Sequence, residues 1–275
     1  MSILKDRLQQ QTCGDDTFLY HYTSLASACK IIENNTLKLS NLVNTNDPLE
    51  FLSGEPSGFS AWGDIDYKKV FRELTISKKN RINFVRMICF CKDMFCSNDD
   101  WQNEKAQDFA DNLLFKGWAR SRMWAQYADN HSGVCLVFDK AEFQKLFNAL
   151  AGKDIEVIPD RKIDYTNYLT ELETSMSNIN TSRSTLSDYS DFYLGDDNKK
   201  YLFQKCQDYR DENEYRFCLI NRSLRSPDEA MFVNYGSSLK AVILGQRFSY
   251  SLKIQVPDGI EQFRIRWNYG RPSLW

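Results

Sequence analysis

Histidine occurs only twice in the chain, and one copy, His21, lies between two tyrosines in the apolar segment 19–23. An imidazole both donates and accepts hydrogen bonds, and phenol rings stack against planar ligands. A helix start follows at Ser24, so the segment predicts a strand that delivers these side chains to a turn lining a ligand cleft. A buried strand whose histidine bonds to backbone explains the same residues at least as well.

The second histidine, His131, follows Trp124 and Tyr127 at helical spacing, which would place all three side chains on one face of a short helix. With His21 they would wall a pocket for a nucleotide-like ligand, whose base stacks on the rings and whose ribose bonds to imidazole. The alternative is that Trp124 and Tyr127 belong to the core and that His131 caps the helix C-terminus. The spacing alone favours that alternative, because aromatic stripes on helices are usually core.

Three charged residues, Glu212, Glu214 and Arg216, alternate along a segment that turns from acidic to apolar. On a strand they would share one face, with Tyr215 and Phe217 on the other. A carboxylate at a strand edge beside an arginine can stabilise an oxocarbenium-like centre or orient a ribose hydroxyl. A solvated strand face with a cross-strand ion pair is the competing interpretation.

Eight cysteines are scattered along the chain without the framework of a small disulfide-rich domain. Cys89 and Cys91, with Cys96 nearby, do not have the spacing of a zinc knuckle, and no second pair follows. We expect reduced, buried thiols and no metal. The sequence also lacks a glycine-rich phosphate loop, a nucleophile elbow and a metalloprotease motif, so those enzyme classes are not supported.

The composition is that of an ordinary soluble globular protein, with 42% hydrophobic and 26% charged residues in 275. A net charge of -2 gives no overall attraction to nucleic acid or membranes, so any polyanion site must be local. Basic runs at 78–81, 120–122 and 199–200 could each follow a phosphate backbone, or could be solvated surface. The sequence has neither a signal-peptide pattern nor a membrane-length apolar run, which predicts a cytoplasmic protein without a membrane partner.

Hydrophobic periodicity predicts one α+β domain over residues 18–275, preceded by a polar arm over 1–17 and carrying a polar insertion around 170–200. Strands are expected at 18–23, 37–39, 84–91, 134–138, 155–158, 211–220, 241–244 and 263–267, with Pro159 ending the fifth. Helices are expected from Ser24, over 67–74, over 122–131 and over 143–150. The pair Asn34-Asn35 is predicted to end the first of these helices, because asparagine tolerates the left-handed conformation.

Taken in order, several segments between residues 18 and 255 resemble a widespread bacterial family known only as a domain of unknown function. As a set these motifs are specific, although each alone is weak. They are Tyr20-His21-Tyr22-Thr23, Asn46-Asp47-Pro48-x-Glu50, the run 123–135 with Trp124, Tyr127, His131 and Gly133, Glu212-x-Glu214-Tyr215-Arg216, and Val242-Ile243-Leu244-Gly245.

The organisation also resembles ADP-ribosyltransferases, especially the DarT-like toxins that modify nucleic acid. The resemblance implies a central strand-rich core with an NAD-type cleft. His21 would hold the adenosine ribose of NAD, and the backbone at Tyr22 and Thr23 would face the nicotinamide amide. Glu214 would be the catalytic carboxylate, with Glu212 as the first acid of a Glu-x-Glu pattern.

On the same resemblance, NAD would also contact Asn46, Trp124, Tyr127, His131 and Arg216, with Tyr127 as the counterpart of the family's middle tyrosine. Tyr22 stands where many relatives have glycine. The function implied is an NAD-dependent ADP-ribosyltransferase, acting as a toxin or phage-defence effector. A nucleic acid is favoured over a protein as acceptor, and an antitoxin or chaperone would be the partner. The alternative is a nucleotide-sensing binding module without transferase activity.

Overall fold

The computed structural model describes residues 2–9, 17–47, 50, 67–94, 113–166 and 196–275. The helices within these ranges are α1 (Ile3–Gln9), α2 (Leu25–Asn34), α3 (Tyr67–Phe84), α4 (Ser121–Tyr127), α5 (Lys140–Asn148) and α6 (Asp196–Lys199). The strands are β1 (Phe18–Thr23), β2 (Thr36–Leu39), β3 (Val85–Cys91), β4 (Val134–Asp139), β5 (Ile155–Lys162), β6 (Asp164–Thr166), β7 (Gln204–Cys206), β8 (Glu214–Asn221), β9 (Met231–Asn234), β10 (Leu239–Leu244), β11 (Glu261–Asn268) and β12 (Arg271–Leu274).

Eight of these strands form one sheet in the order β12-β11-β10-β4-β1-β3-β8-β5. Its ladders are antiparallel except that between β10 and β11, so the sheet is mixed. Two small two-stranded sheets, β2 with β9 and β6 with β7, lie beside it. The described residues therefore form one domain that mixes helices with a large central sheet, which agrees with the predicted combination of helices and strands.

Both faces of the central sheet are covered, which explains its continuous apolar strands. One face packs a cluster of aromatic rings that includes Phe90, Phe138, Phe143 and Phe217. The other face is divided between a cluster around Trp118 and Trp124 and a smaller one around Phe203. The charge network of the candidate site lies on this second side of the sheet, where polar side chains separate the two clusters, whereas His21 contacts Phe90 on the first side.

The start and end of α2 follow from local chemistry. The Ser24 hydroxyl accepts a hydrogen bond from the Ser27 amide, which is the usual N-cap arrangement. Asn35 ends the helix in the left-handed conformation, with φ 52°. Both ends were predicted from the sequence, and together they fix the direction in which the chain leaves β1.

Several sequence predictions about local structure are wrong. The helix expected over 122–131 ends at Tyr127, because residues 129–131 adopt the left-handed conformation, so His131 does not share a helical face with Trp124 and Tyr127. The strand expected to end at Pro159 continues to Lys162, because β5 is an edge strand and the register with β8 shifts between Ile158 and Arg161. Glu212 does not lie on a strand: it ends a 3-10 helix, and Asn213, with φ 44°, turns the chain into β8. The two acids therefore do not share a strand face.

The described part of the predicted N-terminal arm, residues 2–9, packs against the domain. Leu8 is fully buried, and its carbonyl accepts a hydrogen bond of 2.9 Å from the Trp118 indole. Most of the predicted polar insertion around 170–200 lies outside the described residues. Its last part, from residue 196, contains α6. Among the helices described, none is both long and apolar enough to cross a bilayer.

Candidate functional site

The central sheet has a gap between β1 and β3. All six residues of β1 pair with β4 and all seven of β3 pair with β8, yet β1 and β3 share only the pair Tyr20–Cys91. Farther along β3, Ser40 exchanges two backbone hydrogen bonds with Met87, of 2.7 and 2.8 Å. Because backbone groups alternate along a strand, the peptide groups of Cys89 face the opening between these two contacts.

A cavity of about 200 Å³ lies at this gap. It is smaller than the roughly 300–1,000 Å³ of sites that enclose whole drug-sized ligands, so it suits one portion of a larger ligand. Seven residues singled out from the sequence line it, although they come from four separate parts of the chain: His21, Tyr22, Asn46, Tyr127, Glu212, Glu214 and Arg216.

His21 bridges the gap with its side chain. Its Nδ1 lies 3.3 Å from the Cys89 carbonyl oxygen, and its half-buried ring meets Phe90 edge-on at 5.8 Å between centroids. Burial lowers the pKa of His21, although the hydrogen bond with the Cys89 carbonyl opposes this shift. The lowered pKa favours the neutral ring. When Nδ1 donates to that carbonyl, Nε2 becomes a hydrogen-bond acceptor. The histidine is thus bonded to backbone and lines the cavity, which combines both sequence interpretations.

Arg216 joins two carboxylates at the floor of the cavity. Its Nε donates to Glu214 Oε1 at 2.7 Å, and its Nη2 donates to Glu50 Oε1 at 2.6 Å. Nη1 donates to the Leu202 carbonyl at 2.7 Å, so each nitrogen of the guanidinium donates a hydrogen bond. Glu214 and Arg216 are only 4% and 1% exposed, so the solvated strand face weighed from the sequence is wrong.

Lys205 continues this network on the other side of Glu214. Its ammonium donates to Glu214 Oε2 at 3.1 Å and to Glu212 Oε2 at 2.6 Å. Glu212 Oε1 in turn accepts from the Tyr127 hydroxyl at 2.7 Å, and that hydroxyl accepts from Asn46 Nδ2 at 2.7 Å. Carboxylates and cations therefore alternate from Glu50 to Glu212, with a tyrosine and an amide at the open end.

The pKa values follow from this alternation. Burial alone would raise the pKa of Glu214, but Arg216 and Lys205 lower it to about 2. Burial works to lower the pKa of Lys205, yet Glu214, Glu212 and Glu50 raise it above its ordinary value. Burial and Glu212 also raise the pKa of Tyr127. Glu214 is therefore an anion, and the Tyr127 phenol keeps its proton, across the physiological range.

Within the described part of the chain, Glu50 has the one carboxylate oxygen of the network that accepts no hydrogen bond. Its Oε1 is bound by Arg216, whereas Oε2 is buried without a hydrogen-bond partner among the described residues. Both oxygens of Glu214 and both of Glu212 accept hydrogen bonds. A buried acceptor without a donor is costly, and Glu50 lines the cavity, so its free oxygen suits a donor on a ligand.

The Asn46-Asp47-Pro48-x-Glu50 motif holds the network together from outside the sheet. The Asp47 carboxylate accepts from the Cys206 amide at 2.7 Å, which fixes the loop against the strand that carries Lys205. The Asn46 carbonyl accepts from the Tyr209 hydroxyl at 3.0 Å. The loop therefore supplies Asn46 and Glu50 to the cavity and also positions Lys205; Pro48 lies outside the described residues.

Three predicted site residues do not line the cavity. Trp124 is fully buried, donates its indole N–H to the Trp118 carbonyl at 2.8 Å and meets Tyr22 edge-on, as the core interpretation expects. Thr23 is buried at the end of β1. His131 lies in a left-handed loop with φ 71°, where its carbonyl accepts from the Arg247 amide at 2.9 Å.

The glycines of two hallmark motifs are explained by the same loop. A Cβ on Gly245 would lie 2.1 Å from the His131 carbonyl oxygen, and one on Gly133 would lie 2.4 Å from the Thr23 carbonyl oxygen. Both positions therefore permit close approach of backbone segments. The motif around His131 thus packs the ends of β1, β4 and β10 together.

Glu50, Lys205 and Cys89 are cavity residues that the sequence analysis did not select. Glu50 stood in a recognised motif, so its signal was present. Lys205 carried none, because only the folded chain brings it to the acids.

Cys89 and Cys91 are free thiols whose pKa burial raises, to about 12 for Cys91. Within the described residues no group of His, Cys, Asp and Glu could hold a metal ion, and Cys96 lies outside them.

Comparison with known proteins relates part of the chain to a family. Residues 123–217 match the model of a family described as a protein of unknown function, DUF2971. The matched segment runs from α4 into β8 and includes Tyr127, Lys205, Glu212, Glu214 and Arg216. No curated protein matches the chain. No solved structure matches it either. The similarity to an uncharacterised family is therefore supported over the segment that supplies most of the charge network.

Proposed function

We propose that the protein is an NAD-dependent ADP-ribosyltransferase. It would bind the nicotinamide riboside portion of NAD in the cavity between β1 and β3. The observation that carries the proposal is the combination of neutral His21, tyrosine rings and a buried network with more carboxylates than cations beside one small cavity. The nicotinamide ring of NAD is cationic, and the buried network has three carboxylates against two cations, which favours a positive charge beside it. A third cation that lines the cavity, Lys38, is exposed, so solvent screens its charge.

Ribose hydroxyls are the donors that the open acceptors of the site fit. His21 Nε2 and Glu50 Oε2 would each accept one hydroxyl, which also removes the cost of the unpartnered Glu50 oxygen. This assigns His21 to the nicotinamide ribose instead of the adenosine ribose that the resemblance implies. Glu214 lies between the two cations, so it would act as a fixed negative charge near the anomeric carbon. Such a preorganised charge acts most strongly on a transition state in which positive charge develops.

In this reaction the bond between the nicotinamide nitrogen and ribose C1′ breaks, and its electron pair leaves with nicotinamide. The resulting oxocarbenium-like carbon is attacked by a nucleophilic atom of the acceptor, which then loses its proton to solvent. On the resemblance to DarT-like enzymes, we propose a nucleic acid as the acceptor and a toxin or phage-defence effector as the biological role. An antitoxin or chaperone that covers the cavity would be the matching partner.

Release of nicotinamide from NAD tests the reaction, and labelled NAD with cell extract tests the acceptor. Glu214→Gln keeps the shape and removes the charge, so turnover should fall by about two to three orders of magnitude while the fold persists. Glu50→Gln should weaken NAD binding and reduce turnover. The matched control is Glu33→Gln on the exposed face of α2, which should leave both unchanged. A parent protein that releases no nicotinamide with any extract would overturn the proposal.

A binding module that senses a nucleotide is the second candidate. It is favoured by the saturation of Glu214, because both of its oxygens are already bonded to cations. Such a protein would bind NAD or a related nucleotide without releasing nicotinamide. Calorimetry beside the turnover assay separates the two candidates, since saturable binding with no product under any acceptor condition would select the binding module.

A further inference from the structure

A second charged cluster lies on the opposite face of the sheet, directly behind the first. Tyr215 follows Glu214 on β8, so its side chain points to the other face. The ammonium groups of Lys92 and Lys140 lie 4.5 and 4.4 Å from the Tyr215 ring centroid. Lys162 is the register partner of Tyr215 on β5 and therefore points to the same face. These lysines line a cavity of about 320 Å³.

The cluster has more positive than negative charge. Asp93 lines the cavity but is bound by the Lys116 ammonium at 2.8 Å and by the Gly117 amide at 2.6 Å. Asp160 accepts from the Tyr215 hydroxyl at 2.6 Å and from Gln144 Nε2 at 2.8 Å. Arg161 also lines the cavity, but its guanidinium lies over the Phe203 ring at 4.8 Å. Among the described residues that line this cavity, three lysines face two carboxylates, and one of these, Asp93, is bound by Lys116.

The electrostatics of Lys92 show the cost of this arrangement. Burial, followed by the nearby Lys140 and Lys162, lowers the pKa of Lys92 to about 7, against the opposing effect of Asp93. An anion placed between the ammonium groups would replace their mutual repulsion with attraction. The geometry of the cavity and the charge count point in the same direction.

We propose that this second cavity binds a phosphate group, supplied either by a free nucleotide or by a nucleic-acid backbone. Lysine ammonium groups are compact charges that bind phosphate oxygens from several directions, and three of them around one opening fit a tetrahedral oxyanion better than a planar carboxylate. The volume also leaves room for the group attached to the phosphate. This site is separate from the cavity at the β1–β3 gap and does not depend on the transferase activity.

Binding measurements with three probes test the site: inorganic phosphate, ADP and a short single-stranded DNA. Lys92→Gln and Lys140→Gln should each raise the dissociation constant about tenfold or more for every probe that binds. Lys92→Arg keeps the charge and should bind within a few-fold of the parent. The matched control is Lys153→Gln, which removes an exposed lysine from the turn between α5 and β5 and should change nothing.

The probes also separate the two sources of phosphate. Tight binding of ADP with weak dependence on salt identifies a nucleotide. Binding of DNA that weakens steeply with salt, with a smaller slope in Lys92→Gln, identifies a nucleic-acid backbone. Circular dichroism spectra that match the parent exclude misfolding of the variants. The proposal is overturned if the parent binds none of the three probes, or if the folded glutamine variants bind them as tightly as the parent does.

Discussion

Lys205 and Lys92 are buried to nearly the same degree, 5% and 6% exposed, but their neighbours differ in sign. Lys205 lies between carboxylates on one face of the sheet, and its pKa is raised. Lys92 lies beside other lysines on the opposite face, and its pKa is lowered to about 7. Burial disfavours the charge of both, so the sign of the shift is decided by which side chains the strands bring alongside.

The comparison separates two uses of a buried charge. On the Glu214 side each charge is held by an opposite one, which gives a rigid and ionised network. On the Tyr215 side two ammonium groups lie close to one ring, which gives an excess of positive charge that an anionic ligand can balance. Consecutive residues of β8 thus serve a preorganised electrostatic network and a proposed anion site.

The largest effect should come from removing the cation at the centre of the paired network. Arg216→Met leaves the carboxylates of Glu50 and Glu214 buried without their main partner. Breaking a buried pair in this way costs about 3–5 kcal/mol. Urea unfolding of the parent and the variant measures the difference, with Arg122→Met at an exposed ion pair as the control. A loss below about 1 kcal/mol would show that the network is not a structural unit.

The next effect compares the two lysines directly. Lys205→Met should destabilise the fold by about 3 kcal/mol, because Glu212 and Glu214 lose a shared cation in a buried setting. Lys92→Met removes a repelled charge and keeps the buried methylene chain, so it should leave the fold unchanged or more stable. Thermal unfolding of both variants at pH 7 tests the contrast. Equal losses would contradict the idea that neighbouring charges distinguish the two positions.

A third effect should appear in the pH dependence of stability. The pKa of Lys92 is about 7 in the folded protein and ordinary when unfolded, so between these values the unfolded chain binds more protons. Stability should therefore rise with pH above about 7 and level off near the ordinary lysine value of about 10.4. Unfolding of the parent and of Lys92→Met across this range isolates the contribution. The variant should show a flatter profile, and identical slopes would refute the assignment.

Local elements were predictable because their signals are local. Ser24 and Asn35 bound α2, and the alternation of Glu214 and Arg216 along β8 anticipated that they lie together. The prediction that Glu212 lies on the strand was wrong because the left-handed Asn213 breaks that alternation, and no local sequence signal indicated the turn. It nevertheless reaches Glu214 through a shared lysine.

What the sequence did not reveal depends on contacts between distant segments. Glu50 meets Arg216 across 166 positions of the chain, and no local pattern encodes that pairing. The lysine cluster is assembled from the ends of β3 and β5 and the start of α5 around one ring of β8. None of the three basic runs noted in the sequence contributes to it, because charge clustering along the chain differs from clustering across a sheet.

The single pair between β1 and β3 makes the sheet mechanically uneven. Every other ladder of the central sheet contains at least four residue pairs, so separation at this seam would break the fewest backbone hydrogen bonds. We expect the five strands on one side and the three on the other to move as two rigid groups, connected by the hydrogen bond between the His21 imidazole and the Cys89 carbonyl. Amide exchange at Cys89 should be faster than at its neighbours on β3, and a molecule wedged into the seam should slow it. By separating between β1 and β3, the protein would bind ligands larger than the present cavity without unfolding either group of strands.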